Sequence, residues 1–175
     1  MKTTNRRNNI SCYVARDDVH SKLMNLDRKR KLIALVIWWC EGTKIRKDKR
    51  WKNSYVKVVE VTNTNPSLIK LFVDFLRSNL KVRLDKMKGQ IQIHEGDDLV
   101  QAEDFWENAV GIPKMQFNKT IIRKAGNKPG KTRGTFKVRV YGREIFDRLN
   151  DLLNEELGDI ITESSADGSA HRLGR

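Results

Sequence analysis

The hydrophobic positions open with one unbroken run, Leu32-Ile33-Ala34-Leu35-Val36-Ile37-Trp38-Trp39-Cys40, nine apolar residues that stop at Glu41-Gly42. Nine residues cannot cross a bilayer, which takes about 20. A helix apolar on every side must be covered on every side, so the run predicts a central helix over residues 28–41. Asp27 is the expected N-cap, ahead of Arg28-Lys29-Arg30-Lys31. Cations at a helix start oppose the macrodipole, by about 0.3–1 kcal/mol each when exposed. Either a ligand uses that charge or the helix start is simply solvated. Residues 1–27 are polar and mixed in charge, and read as a basic flexible arm or a short helical lead-in.

After Gly42 the period changes. Residues 43–51 and 54–63 read as a hairpin turning at Trp51-Lys52-Asn53-Ser54, its second strand rich in β-branched residues. Asn65-Pro66-Ser67 opens a helix with Pro66 near its first turn, and Leu68, Ile69, Phe72, Val73, Phe75, Leu76 and Leu80 keep helical spacing. Val82–Met87 and Gln90–His94 predict a second, short hairpin around Lys88-Gly89. Glu95-Gly96-Asp97-Asp98 starts a helix carrying Leu99, Ala102, Phe105, Trp106 and Ala109, which stops at Gly111-Ile112-Pro113. Met115–Lys124 and Gly134–Tyr141 predict a third hairpin across the loop 125–133. Ile145, Leu149, Leu152, Leu153 and Leu157 mark a last helix over 143–157, and the small polar tail 158–175 reads as disordered. A helix followed by three hairpin-plus-helix units predicts an α+β fold, with one antiparallel sheet and helices packed on one face.

Charge adds a partner to this picture. The chain has 175 residues, enough for one domain, and its 35 Lys plus Arg against 22 Asp plus Glu give a formal charge of +13. Such an excess favours a polyanion: DNA, RNA or an anionic membrane. No signal-like apolar stretch follows the N-terminal residues, so a soluble intracellular protein of cytoplasm or nucleoid is expected. Cys12 and Cys40 read as ordinary reduced thiols, and His20, His94 and His171 form no ligand cluster with them.

The cations cluster in the hairpins. Residues 43–58 hold Lys44, Arg46, Lys47, Lys49, Arg50, Lys52 and Lys57 against Asp48 alone. Residues 115–141 hold Lys119, Arg123, Lys124, Lys128, Lys131, Arg133, Lys137 and Arg139 and no acid. Along Thr135–Tyr141, Phe136, Val138 and Val140 point one way, and Thr135, Lys137, Arg139 and Tyr141 the other. A two-stranded ribbon fits the major groove of B-DNA, where Lys and Arg reach phosphates or guanine edges. A merely solvated face usually mixes signs, so these fifteen cations are the candidate contacts to double-stranded DNA.

Glu41 is the only acid among residues 28–47. It is either a salt-bridge partner of Lys44 and Arg46, or a carboxylate presented where a phosphate backbone passes. Carboxylates suit Mg²⁺, and paired metal sites clamp the attacking and leaving oxygens of phosphodiester hydrolysis. A second carboxylate is most simply supplied by a two-fold copy of the same helix. A homodimer also accounts for a helix apolar all round, with one side on its own sheet and the other on its twin.

A hydrophobic helix ending in acid-glycine, then strands and helices in alternation, resembles the LAGLIDADG homing endonucleases. The similarity rests on Leu35–Lys44 (LVIWWCEGTK), Val61–Leu76 (VTNTNPSLIKLFVDFL), Phe105–Pro113 (FWENAVGIP) and Tyr141-Gly142, and spans roughly 28–157. It looks like a compact prokaryotic and phage branch with one motif. The resemblance implies an αββαββα core with a saddle-shaped sheet over DNA, here extended by a ββα unit at 114–157. It implies paired motif helices at a dimer interface, with Ala34, Ile37, Trp38 and Cys40 at the contact. It also implies a divalent cation, Mg²⁺ or another, held at Glu41 and Gly42, with Glu41 catalytic. Val36, Trp38 and Trp39 are bulkier than the small residues such helix pairs favour. Val110 stands where a second acid would be, so a homodimer with one Glu41 per chain is expected. The alternative is a non-cleaving binder on the same scaffold, either a transcription regulator or an intron RNA maturase.

Overall fold

A computed structural model describes residues 7–49, 55–124 and 133–169. The expected turn Trp51–Ser54, most of the loop 125–133, and Arg50, Lys52, Lys128 and Lys131 lie outside the described residues. The architecture is α+β. The elements run α1 (Arg7–Glu41), β1 (Arg46–Lys47), β2 (Tyr55–Val56), β3 (Val58–Asn63), α2 (Pro66–Ser78), β4 (Met87–His94), α3 (Leu99–Val110), β5 (Phe117–Arg123), β6 (Thr135–Tyr141) and α4 (Arg143–Ser169).

Helix α1 does not begin at Asp27. It starts at Arg7 and is 35 residues long, about 52 Å at 1.5 Å per residue. Nothing from 7 to 27 is Gly or Pro, so nothing interrupts the backbone ladder, and Asp27 becomes a mid-helix partner of Arg30 at 3.7 Å. Residues 7–27 of the expected arm are therefore helical. At the other end α4 passes through Gly158 to Ser169, so residues 158–169 of the expected tail are helical too. Gly in a helix interior costs only about 1 kcal/mol.

Helix α2 begins as its sequence dictates. Asn65 caps it by accepting from the Ser67 N–H at 2.9 Å, with Pro66 directly behind. Its buried stripe is Ile69, Phe72, Val73, Phe75 and Leu76. It ends on a Val82 N–H to Leu76 carbonyl bond of 3.0 Å, which forces Lys81 into the left-handed region at φ 55°. Asp98 caps α3 at Gln101, and Gly111 closes it at φ 73°.

The main sheet has the order β3-β6-β4-β5. β6 lies between β3 and β4 and is antiparallel to both. β5 pairs parallel to β4, so the sheet is mixed, and the expected all-antiparallel sheet is corrected at its edge. The cause is α3: parallel neighbours require a crossover, and the helix between β4 and β5 provides it. The expected third hairpin is likewise split. β5 and β6 exist, but β4 is inserted between them. The connection 124–134 is far longer than a hairpin loop of two to five residues and crosses about 10 Å, two strand spacings.

The expected second hairpin is replaced by one continuous strand. Met87–His94 alternates strictly, with Met87, Gly89, Ile91 and Ile93 inward. Gly89 is not a turn residue: a Cβ there would lie 2.6 Å from the rings of both Phe117 and Phe136. The aromatic side chains of neighbouring strands fill the space that any other residue would need. The first hairpin is present in part. β1 pairs β2 with Arg46 opposite Val56, and Gly42 bridges Val61, so the segment after α1 runs antiparallel beside β2 and β3.

One core cluster unites the inward side of the sheet with all four helices. Trp106 stacks on Phe136 at 5.0 Å, Phe117 meets the same ring edge-on at 5.3 Å, and Trp38 meets Phe146 edge-on at 5.4 Å. The Trp106 indole N–H donates to the Arg133 carbonyl at 2.6 Å. Helix α4 is tied across α1 by Lys31–Glu156 at 2.7 Å. Among the described residues no helix is long and apolar enough to cross a membrane.

Candidate nucleic-acid interface

Since every helix packs into the one core, the alternate strand positions face away from it. That second face is polar. The ladders set its rows: Glu60 beside Arg139 beside Lys88, then Thr62 beside Lys137 beside Gln90 beside Asn118. Thr135 lies next to Gln92, and His94 next to Arg123. Val138, Val140 and Phe136 are buried while Thr135, Lys137 and Arg139 are half-buried and Tyr141 is exposed, so the expected alternation of β6 is met. Cations and uncharged hydrogen-bonding groups make up most of the face, with Val58 beside Tyr141 and Ile121 beside Gln92 among them, and Glu60 is the sole acid in the four strands.

Glu60 is 9% exposed, the most enclosed group on that face. Its Oε2 accepts from the Thr43 hydroxyl at 2.8 Å, and its Oε1 accepts from the Arg139 Nε–H. Arg139 also donates through Nη1 to the Tyr141 hydroxyl at 3.0 Å and lies 5.7 Å from that ring. Burial works against the Arg139 charge, but the Tyr141 hydrogen bond and the Glu60 carboxylate outweigh it and hold its pKa above the ordinary arginine value. The chain Thr43–Glu60–Arg139–Tyr141 therefore joins three segments across the open face.

The end of α1 is stitched to this same sheet. The Gly42 N–H donates to the Trp38 carbonyl at 2.8 Å, and the Thr43 N–H donates to the Glu60 carbonyl at 3.1 Å. A Cβ at Gly42 would fall 2.8 Å from the Trp38 indole nitrogen, so close approach to Trp38 is what demands glycine. That indole N–H is buried with no partner among the described residues, a loss of about 1–3 kcal/mol. Glu41 is exposed, and among the described residues no ion pair occupies it. Lys44, one of its expected salt-bridge partners, instead donates to the Trp39 carbonyl and lies 5.7 Å from the Trp38 ring, where a cation suits a helix C-terminus.

The expected cations divide into groups. Lys44, Arg46, Lys47 and Lys49 are exposed along the segment after α1. Lys119, Arg123 and Lys124 are exposed on or beside the edge strand β5. Lys137 and Arg139 lie at mid-face. Lys57 is committed to the fold, since it pairs with Asp147 of α4 and is 19% exposed. Arg133 is exposed, with its guanidinium 4.3 Å from the Phe105 ring. Lys88, Gln90 and Gln92 belong to the face and were missed, because Lys88-Gly89 reads as a turn. The alternation across 87–94 was the available signal.

The expected contact residues of α1 are corrected. Ala34, Ile37 and Trp38 are buried in the chain's own core. Only Cys40 of that set is exposed. The uncovered apolar stripe is Ile33, Val36 and Trp39, at 46%, 42% and 50% exposure, with Cys40 alongside. A run without a polar residue carries no period, so the sequence could not say which side turns inward.

Oxygen donors at Glu41 and Gly42 are of the kind a hard divalent cation takes, and Mg²⁺ is commonly held through one or two carboxylates with waters retained. The end of α1 itself supplies one carboxylate, Glu41. Among the described residues no group of three His, Cys, Asp or Glu comes together. Set against protein-family models, curated proteins and solved structures, the chain matches none of them.

Proposed function

We propose that the chain binds double-stranded DNA on its open sheet face and cuts it as a homodimer of the LAGLIDADG kind, with one Glu41 from each copy. The observation that carries this reading is a single juxtaposition. A face on which none of the described helices packs, bearing Lys88, Lys137 and Arg139, is joined at its edge, through Gly42 and Thr43, to the helix end that presents Glu41. Lys44, Arg46, Lys47 and Lys49 flank one side of that face, and Lys119, Arg123 and Lys124 the other, where phosphates of a docked duplex would run.

The uncovered stripe of α1 supplies the second half of the reading. Pairing two copies through Ile33, Val36, Trp39 and Cys40 removes exposed apolar surface from water. It also brings two Glu41 carboxylates to one axis and sets two open faces side by side. A divalent cation bound there would stabilise charge on the phosphate oxygens. The chain's own contribution is positional: Gly42 lets the helix end abut Trp38, and Thr43 fixes the exit direction by its bonds to Glu60.

The second reading is a non-cleaving nucleic-acid binder on the same face, a regulator or an RNA maturase. It draws on the end of α1 presenting a single carboxylate, Glu41. Incubating a randomised duplex library with Mg²⁺ and either native protein or Glu41→Gln separates the two. Cleavage by the native protein and none by the variant is the expected result. Equal cleavage by both removes Glu41 from the chemistry, and binding without cleavage by either favours the binder.

A further inference from the structure

Glu60 is an odd residue for a strand that faces a polyanion. It repels phosphate, and a carboxylate in this position must be desolvated. An ion pair of this kind is weak evidence for stability, because apolar groups of the same volume generally serve a fold as well. The pair with Arg139 therefore invites a role beyond packing.

Arginine carries five N–H donors in a rigid planar fork. At Arg139 one donor, Nε–H, is bound to Glu60 and one on Nη1 to the Tyr141 hydroxyl, which leaves three. Glu60 is itself held by Thr43 and by the ladder of β3, while Tyr141, 58% exposed, has its backbone placed by the ladder of β6. The remaining donors are thus offered in one orientation, with the freedom of a long side chain already removed. Guanine presents O6 and N7 as a planar pair of acceptors in the major groove, which such a fork matches.

Placement and charge agree with this. Arg139 sits at mid-strand on β6, with β3 on one side and β4 on the other. Its pair with Glu60 is neutral overall, so it adds little to phosphate attraction. Its neighbours Lys88 and Lys137 make no ion pair among the described residues and remain free to supply that attraction. A neutral, oriented donor group at the centre of a face with free cations around it is the division of labour between base and phosphate contacts.

We propose that Arg139, held in place by Glu60 and Tyr141, reads a guanine edge in the major groove and makes Glu60 the positioning residue for base preference at one site. This rests on the reading that the open face meets duplex DNA. Selection from a randomised duplex library, followed by binding titrations on the selected site and on an unrelated duplex, tests it. Native protein is expected to select one fixed G·C pair. Glu60→Gln, which retains the Thr43 acceptor, should lose about 10- to 100-fold discrimination at that pair alone. It should bind the unrelated duplex as tightly as native protein or tighter. Arg139→Lys, which keeps the charge and loses the fork, should lose the same preference, with thermal melts checking that both variants fold. Preference that survives both substitutions, or affinity that falls equally on both duplexes, overturns the proposal. A native protein that binds duplex without any base preference overturns it too and leaves the duplex-binding reading standing. A native protein that binds no duplex overturns that reading and this one with it.

Discussion

Gly89→Ala probes the strand that replaces the expected second hairpin. The added methyl meets the rings of Phe117 and Phe136 at 2.6 Å. Phe136 cannot step aside, since it is fully buried and stacked on Trp106 at 5.0 Å. Phe117 is half-buried and is the side chain able to move. Overpacking of this kind costs about 1–3 kcal/mol, offset by roughly 0.5–1 kcal/mol from replacing a strand glycine. The net loss is therefore about 0–2.5 kcal/mol, up to roughly 10 °C in thermal midpoint for a chain of this size. Loss of stability alone does not separate a packed strand from a glycine turn, so the assay is a double-mutant cycle with Phe117→Leu, read by denaturant titration. A packed strand predicts that Phe117→Leu makes room for the methyl and that the two changes couple by at least about 0.5 kcal/mol. Additive effects of the two substitutions refute the packing argument.

Lys81→Gly should stabilise the chain by up to about 1 kcal/mol in a thermal melt, because φ 55° is strained for lysine and free for glycine. Lys57→Met should weaken the tie between the sheet and α4, lowering stability by about 0.5–1 kcal/mol. It should leave the salt dependence of DNA binding unchanged. Trp39→Glu should make the protein monomeric by sedimentation without a large change in melting point, since Trp39 is half exposed in one chain. Trp38→Ala should instead destabilise the fold by about 3–5 kcal/mol, because that ring is in the core.

Much of the fold is legible where a local rule meets no competitor. Asn65-Pro66 places the start of α2, Gly111 the end of α3, and the unbroken alternation of 135–141 gives both faces of β6. Errors arise where two rules share one residue type. Gly89 satisfies the rule for a turn and equally the rule for a close aromatic approach, and only the neighbouring strands decide between them. Asp27 is a good cap, yet nothing before it stops a helix, so α1 continues back to Arg7. Strand order is invisible to local pattern, because β4 enters between β5 and β6 through contacts distant in sequence. At the candidate interface the cations of β6 were legible, and Glu60 was not. A lone acid between Val59 and Val61 was its only trace, and its meaning appears when Arg139 is placed beside it.

The most direct test of the account is the affinity of the native chain for duplex DNA, measured across a salt series. If six to ten cations of the open face and its flanks meet phosphates, affinity falls about 10³- to 10⁵-fold between 50 and 200 mM salt. Lys137→Ala then lowers the slope by about one. Binding that is absent or nearly independent of salt, or a slope that Lys137→Ala does not move, contradicts the assignment of this face to nucleic acid.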